Sequence, residues 1–247
     1  MQLHERLASG ESELDLHVFQ SESRTPVERT LVLLHGLPRA LGMGRTAAGM
    51  LPELGEHLAH ESGWLVATGT MSGVGASTGT FSGTQWLADL TTIVDRLSEE
   101  EHPIACAAFG LGGNVALRLA AHDERIRGVA TFATSAHLDA WCGEPEKFRA
   151  QINRAGVVQG GHQLLDPDEL VHDVLQLDPL GSIAQIPPRR LLIGHGAEDL
   201  EVPVAHARDL YAAAEEHAEL RIIQGAGHTL RADPRMVATL LGWLDRH

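Results

Sequence analysis

The stretch with the clearest chemical meaning is residues 103–121, PIACAAFGLGGNVALRLAA. An apolar run typical of a strand leads into the small-residue turn FGLGG (109–113), and a helical pattern follows. A strand, a tight turn and a helix together form the nucleophile elbow, usually written G-x-S-x-G, whose serine attacks a carbonyl carbon. Ala108 stands at the first glycine of that pattern and Gly110 at the serine. The sequence therefore predicts an elbow that lacks its nucleophile.

Four further motifs each follow a strand-like run. They are His35-Gly36-Leu37-Pro38, the turn SGVGASTG (72–79), GAED (196–199) followed by Val202-Pro203, and GAGH (225–228). With the elbow, these motifs resemble the α/β-hydrolase superfamily, including its esterase-like and serine-aminopeptidase-like branch, over nearly the whole chain. The first motif resembles the oxyanion loop HG-x-P, and the second resembles R-G-x-G-x-S-x-G. In that second motif the chain departs from the family, because Ser72 stands at the arginine and Thr70 stands where an aspartate is usual.

The resemblance implies a role for each motif. His228 would be the general base, and Asp199 would hold the His228 imidazole in the required tautomer. The backbone N–H groups of Leu37 and Leu111 would form an oxyanion hole. The chain order of Gly110, Asp199 and His228 is the superfamily's order of nucleophile, acid and histidine. The implied substrate is an ester, amide or thioester of a small acyl compound.

Gly110 changes the chemistry that is expected. Serine supplies the oxygen that attacks the carbonyl and carries the acyl group, and its loss from a triad costs on the order of 10⁶ in turnover. Glycine has no atom for this step. Glycine does relieve the strained backbone of an elbow, which costs other residues roughly 1–3 kcal/mol. The change therefore exchanges activity for stability.

Three explanations of Gly110 remain open. The chain is a natural pseudoenzyme, or a serine-to-glycine variant made to trap a substrate, or an enzyme that works without this nucleophile. In the last case His228 would activate a water molecule in the vacated space or would abstract a proton from a bound substrate. The functional hypotheses are accordingly an altered or inactive hydrolase, a protein that binds a ligand or partner in the same pocket, and a scaffold protein with a vestigial pocket.

Other nucleophiles are less attractive. Cys106 lies within the apolar strand before the elbow, where we expect a small buried hydrophobic residue. Ser72 and Ser77 lie in a glycine-rich turn, where serine is common because its hydroxyl bonds to nearby backbone groups.

We expect no structural or catalytic metal and no cofactor. His57 and His60 are three residues apart on a predicted helix, which is neither H-E-x-x-H nor its inverse, so a solvated helical face explains them. The glycines after the elbow strand do not form a dinucleotide-binding turn, because G-x-G-x-x-G would need a glycine where Val115 stands.

The elements that must position these residues alternate along the chain. Seven apolar runs predict strands, and helical patterns lie near 47–61, 84–98, 112–121, 205–217 and 234–246. The runs are LDLHVF, TLVLLHG, WLVATGT, PIACAAFG, IRGVATFAT, RRLLIGHG and LRIIQGAG. This alternation predicts an α/β fold with a mostly parallel, doubly wound sheet in one domain, 1–247. Residues 137–187 break the rhythm and show no convincing strand. We expect a small helical cap insertion there, with a plain surface excursion as the alternative.

Composition narrows the partners. The chain has 247 residues, of which 43% are hydrophobic, enough for a sizeable core. Asp and Glu outnumber Lys and Arg by 33 to 19, for a net charge of -14, so we expect neither nucleic acid nor an anionic membrane as a partner. No apolar leader or long apolar stretch occurs, and the two cysteines form no disulfide framework. We expect a cytoplasmic protein that binds a small molecule, and a homodimer remains open by analogy.

Overall fold

The computed structural model describes residues 1–22, 27–38, 43–215 and 217–246, with the side chains of 43–50 left out. The strands are β1 (Gln2–Ser9), β2 (Ser12–Phe19), β3 (Thr30–Leu34), β4 (Leu65–Thr70), β5 (Gly79–Thr80), β6 (Ile104–Phe109), β7 (Ile126–Phe132), β8 (Val158–Gln159), β9 (Arg190–Gly196) and β10 (Ala218–Ile223). The helices are α1 (Met43–Ser62), α2 (Gly83–Ser98), α3 (Leu111–His122), α4 (Asp139–Cys142), α5 (Pro145–Ala155), α6 (Pro167–Leu175), α7 (Pro179–Ala184), α8 (Ala205–Ala213) and α9 (Pro234–Asp245).

Eight of these strands form one sheet in the order β1-β2-β4-β3-β6-β7-β9-β10. From β4 to β10 every neighbouring pair is parallel, whereas β2 runs antiparallel to both β1 and β4. The predicted fold class, a mostly parallel doubly wound sheet flanked by helices, is confirmed. Parallel strands bring their carboxyl ends to one edge of the sheet, where ligands of such folds bind.

Alternate side chains of the central strands enter two separate apolar layers. In β3, Val32 and Leu34 pack with residues of α2, α3, α7 and α8, whereas Leu31 and Leu33 pack with residues of α1 and α9. All five residues of β3 are buried. Strands covered by helices on both faces must be apolar throughout, and this explains why the central strands are continuous hydrophobic runs.

The first strand was not predicted. β1 is an edge strand whose residues are mostly exposed or half-buried, so its sequence, QLHERLAS, carries no apolar run. β1 is held by its antiparallel pairing with β2. The predicted helix 205–217 ends at Ala213, and Glu216 lies outside the described residues.

The segment 137–187 contributes α4 to α7 and the short strand β8. Our expectation of no strand there was wrong in this detail, because Val158 and Gln159 pair antiparallel with β5. α7 packs against α3 and α8, and α5 packs against α6. Buried residues of the segment, including Phe148 and Ile152, join the same apolar layer as α2 and α3. The insertion is therefore packed into the body of the molecule.

Within the described residues, no helix is both long and apolar enough to cross a membrane.

Candidate active site

Gly110 lies at the junction of β6 and α3, with φ 51° and ψ −124°. Its N–H donates to the carbonyl of Phe132 at 2.9 Å, and its own carbonyl accepts from the N–H of Gly113 at 3.0 Å. A positive φ disfavours residues with a side chain, and elbows hold their central residue in such a strained conformation. A Cβ atom at Gly110 would have the Cα of Gly36 as its nearest neighbour, at 3.7 Å, an ordinary contact. The turn thus has the positive φ expected at the centre of an elbow and room for a Cβ atom.

The loop after β3 lies directly against this turn. A Cβ atom on Gly36 would approach the carbonyl oxygen of Phe109 to 2.9 Å, and one on Gly112 would overlap the carbonyl of His35. Only glycines allow the two backbones to approach this closely. The predicted oxyanion loop and the predicted elbow are therefore adjacent.

His35 orients the peptide group between Gly36 and Leu37. The N–H of Met71 donates to His35 Nε2 at 3.0 Å, so that nitrogen is unprotonated and His35 Nδ1 donates to the carbonyl of Gly36 at 2.8 Å. Because a trans peptide group is planar, the N–H of Leu37 points away from the Gly36 carbonyl that His35 holds. Burial lowers the pKa of His35 to about 4, which keeps the imidazole neutral in this role.

Leu111, the second predicted oxyanion donor, is the first residue of α3. The N–H groups of a helix's first turn have no acceptor within the helix, and they lie at its positive end. Leu111 lies beside Gly110 because it is the next residue along the turn.

The acid and the histidine meet at the ends of β9 and β10. His228 Nδ1 lies 2.8 Å from Asp199 Oδ2, well within hydrogen-bond distance. The Asp199 carboxylate is fully buried, whereas the His228 ring is 23% exposed. A buried carboxylate bonded to a partly exposed imidazole can fix the ring's tautomer and orientation and leave the other ring nitrogen for chemistry.

Asp199 receives three hydrogen bonds, and a second histidine lies close to its carboxylate. Its Oδ1 accepts from the N–H groups of Glu201 and Val202, each at 2.9 Å, and its Oδ2 faces His228 and His195. Burial by itself raises the pKa of Asp199, but the bonds from His195, His228 and the two backbone N–H groups outweigh it and hold the pKa well below its usual range. The carboxylate is therefore ionised wherever the protein is folded at neutral pH.

His195 is a member of this cluster that the sequence analysis missed. It is fully buried at the end of β9, and its Nε2 lies 2.8 Å from the carbonyl of Val202 and 3.3 Å from Asp199 Oδ2. A carbonyl can only accept, so Nε2 carries the proton, and the buried ring also lies close to the carboxylate. In the sequence, the only indication of His195 was its place at the end of a predicted strand, four residues before Asp199.

The turn after β4 is structural. Ser72 and Ser77 are almost fully buried. The Ser72 N–H and hydroxyl donate to Asp89 at 2.7 and 3.0 Å, and the Ser77 hydroxyl donates to the carbonyl of Thr70 at 2.6 Å. Both hydroxyls are committed to holding the turn. Cys106 is buried within β6, and burial raises the pKa of its thiol to about 12, so it is no nucleophile at neutral pH.

One cavity of the structure lies away from Gly110, Asp199 and His228. It has a volume of about 200 Å³ and is lined by residues that include Arg29, Trp64, Arg127 and Trp243. Those residues belong to the amino ends of the parallel strands and to α9. The cavity is therefore at the opposite edge of the sheet from Gly110 and does not serve the Asp199–His228 pair.

Solved structures share this architecture from end to end. The chain superposes on an α/β hydrolase, GrgF, from Penicillium sp. sh18, with a TM-score of 0.75 and 18% identity over 100% of this chain and 99% of that one. This chain has an α/β-hydrolase fold. The Pyrococcus furiosus esterase Pf2001 gives a TM-score of 0.71 and 18% identity over 100% and 92% of the two chains. For Est1E from Butyrivibrio proteoclasticus the TM-score is 0.72 and the identity is 14%, over 98% and 96%.

Sequence comparison adds nothing to this result. No protein-family model matches the chain, and no curated protein sequence matches it. The α/β-hydrolase fold therefore rests on the sheet order and on these superpositions. At such low identities they establish the fold, and roles for individual residues must be argued from the local geometry.

Proposed function

We propose that this protein has a serine-hydrolase-type site for a small ester, amide or thioester, and that the site lacks its nucleophile. In this proposal His228 is the general base and Asp199 orients it. The Leu37 and Leu111 N–H groups receive the oxyanion, and Gly110 stands where the serine would be. As it stands, the chain does not form an acyl-enzyme.

The observation that carries the proposal is the pairing of His228 Nδ1 with Asp199 Oδ2 at 2.8 Å in an α/β-hydrolase fold. A buried, ionised aspartate is costly to keep unless its hydrogen bonds compensate the lost hydration. Here three hydrogen bonds and the nearby His195 surround it, and one of the donors is the partly exposed imidazole of His228. Such an arrangement suits a base that must gain a proton during a reaction.

The elbow supports the same proposal. Gly110 keeps the backbone angles of an elbow, and a Cβ atom would fit there at 3.7 Å from its nearest neighbour. Among the similar structures, the Pyrococcus furiosus protein Pf2001 is named an esterase, and Est1E is described with ferulic acid bound. The substrate class proposed for this chain, a small acyl compound, is consistent with those relatives.

The decisive experiment restores the missing hydroxyl. We expect Gly110→Ser to gain hydrolysis of short-chain p-nitrophenyl esters by on the order of 10³-fold or more over the chain as given, since losing the serine of a triad costs more than that. Gly110→Ala is the matched control, because it introduces the same backbone strain without a hydroxyl. Gly110→Ser/His228→Ala tests whether the gain depends on the proposed base.

Each result has a definite meaning. Activity that appears only in Gly110→Ser and disappears in the double variant supports the proposal. If Gly110→Ser folds, as judged by circular dichroism, and shows no gain, the Asp199–His228 pair does not serve acyl transfer and the proposal fails. If the unmodified chain already hydrolyses esters in a His228-dependent way, then water is the nucleophile. The proposal that the site is inactive without a serine would then be wrong.

The second candidate is a pocket that binds an acyl compound without chemistry. The room for a Cβ atom at Gly110 favours it, because a ligand atom can occupy the position of the absent side chain. The insertion 137–187, proposed as a cap, would then shape a binding pocket. Acyl compounds should raise the melting temperature of the unmodified chain, and turnover of a bound compound would exclude this function.

A further inference from the structure

A second cluster of histidine and aspartate lies on the antiparallel edge of the sheet, away from Gly110. Strand register places His4 directly opposite His17, and Asp15 lies two residues before His17 on β2. Residues that are opposite each other, or two apart on one strand, project from the same face of a sheet. The three side chains therefore share one face.

The ligand atoms of the cluster converge. His4 Nε2 lies 2.6 Å from Asp15 Oδ1, and His17 Nε2 lies 3.3 Å from Asp15 Oδ2. One potential ligand atom from each of His4, Asp15 and His17 can be chosen so that the three atoms all lie within 4.8 Å of one another. The two imidazole rings are stacked, with centroids 4.4 Å apart and planes 5° apart. Both Nε2 atoms thus face the same carboxylate.

We propose that His4, Asp15 and His17 bind a divalent transition-metal ion of the zinc type. Two imidazole nitrogens with one carboxylate suit Zn²⁺, Co²⁺, Ni²⁺ or Cu²⁺, whereas Mg²⁺ and Ca²⁺ prefer all-oxygen sites. The His4 ring is 52% exposed, so an ion can enter from solvent and keep water on its remaining positions. The ion replaces the hydrogen bonds that now join both rings to Asp15.

The strand that carries two of the ligands is anchored. The N–H of Asp15 donates to the hydroxyl of Ser77 at 2.9 Å, and Asp15 pairs with Thr70 of β4. A site whose ligands are already held in position loses little entropy on binding. The metal would tie the edge strand β1 to β2, which makes its role structural. The site is five strand spacings from β9, about 24 Å along the sheet, and so is separate from Asp199.

Arg6 lies beside Asp15 and so offers a test of metal binding in which affinity should increase. Its Nε lies 3.6 Å from Asp15 Oδ1, and its Nη1 donates to the carbonyl of Ala76 at 2.8 Å. A guanidinium beside the shared carboxylate competes with a dication for its charge. Removing Arg6 should therefore tighten metal binding, whereas removing either histidine should weaken it.

Zn²⁺ titration of the full chain, freed of metal with a chelator and followed by calorimetry, tests the proposal. We expect one site, whose affinity falls at least about tenfold in His4→Ala/His17→Ala. Arg6→Ala should bind more tightly. The matched control is His57→Ala/His60→Ala, which removes two histidines from α1 and should leave this affinity unchanged. Because bound metal stabilises the folded state, the melting temperature should rise with Zn²⁺ in every form except the His4/His17 variant.

The proposal is overturned if the unmodified chain binds no Zn²⁺ below about 100 μM, or if the His4/His17 variant binds as tightly as the parent. Loss of binding in the His57/His60 variant would also overturn it. Melting curves in chelator show whether each variant is folded. His4→Gln provides a milder change at the exposed ligand, with weakened binding as the expected result.

Discussion

Gly110 has a positive φ at the junction of β6 and α3. The angles are held by the strand-to-helix junction, where the Gly110 N–H bonds to Phe132 and its carbonyl accepts from Gly113. A serine here would bear a strain of about 1–3 kcal/mol. The shape of an elbow is therefore a property of the packed elements, and a single residue decides whether it carries a nucleophile.

His35 should make stability depend on pH. Its pKa is lowered to about 4 by burial, so between about pH 6.5 and 4 the unfolded chain binds the proton and the folded chain does not. The free energy of unfolding should then fall as the pH falls through this window, by up to about 3 kcal/mol. Urea unfolding at about pH 7.5 and about pH 5 measures this loss.

The matched comparison for His35 uses two variants. His35→Gln should lose part of this pH dependence, because glutamine does not titrate. His60→Gln, at an exposed position of α1, should keep it. An equal pH dependence in the parent and in His35→Gln would contradict the prediction.

At the scale of elements, one buried aspartate joins a strand, a turn and a helix. Asp89 of α2 accepts from Ser9 at the end of β1, from Ser72 in the turn after β4, and from Gln85 one helical turn earlier. Trp86 adds a bond from its indole nitrogen to the Ser72 carbonyl at 3.1 Å. These contacts hold the turn after β4 in place.

Asp89→Asn should destabilise the protein by about 2–3 kcal/mol, because an amide nitrogen would face donors where the carboxylate accepts. Asp95→Asn is the control on the same helix. Asp95 is exposed and pairs with Arg125 at 2.8 Å, and such surface pairs contribute less than about 1 kcal/mol. Urea unfolding distinguishes the two variants. Equal losses of stability in Asp89→Asn and Asp95→Asn would show that the buried hydrogen bonds of Asp89 stabilise the protein no more than a surface ion pair does.

At the scale of the whole molecule, the packing of the insertion predicts how the protein opens. Cys106 in β6 and Cys142 at the end of α4 are both free and buried. Both belong to the same apolar layer, which also contains Phe148 and Ile152 of the insertion. An insertion packed in this way should unfold together with the sheet.

Single-cysteine variants test this expectation. In Cys142→Ala and Cys106→Ala, the remaining thiol should react with a disulfide reagent only as the whole protein unfolds, at the same urea concentration in both. Reaction of Cys142 at much lower urea than Cys106 would mean that the 137–187 segment opens by itself, as a detachable lid would.

The sequence by itself determined the alternation of strands and helices, the strand–turn–helix junction at Gly110 and the chain order of Gly110, Asp199 and His228. These features are local, because a strand–turn–helix junction is written in consecutive residues. Only the tertiary structure decided that His228 meets Asp199 at 2.8 Å and that His195 joins them. It alone revealed β1 and the convergence of His4 and His17 on Asp15. Contacts across strands depend on register and sheet order, and residue spacing along the chain does not encode them.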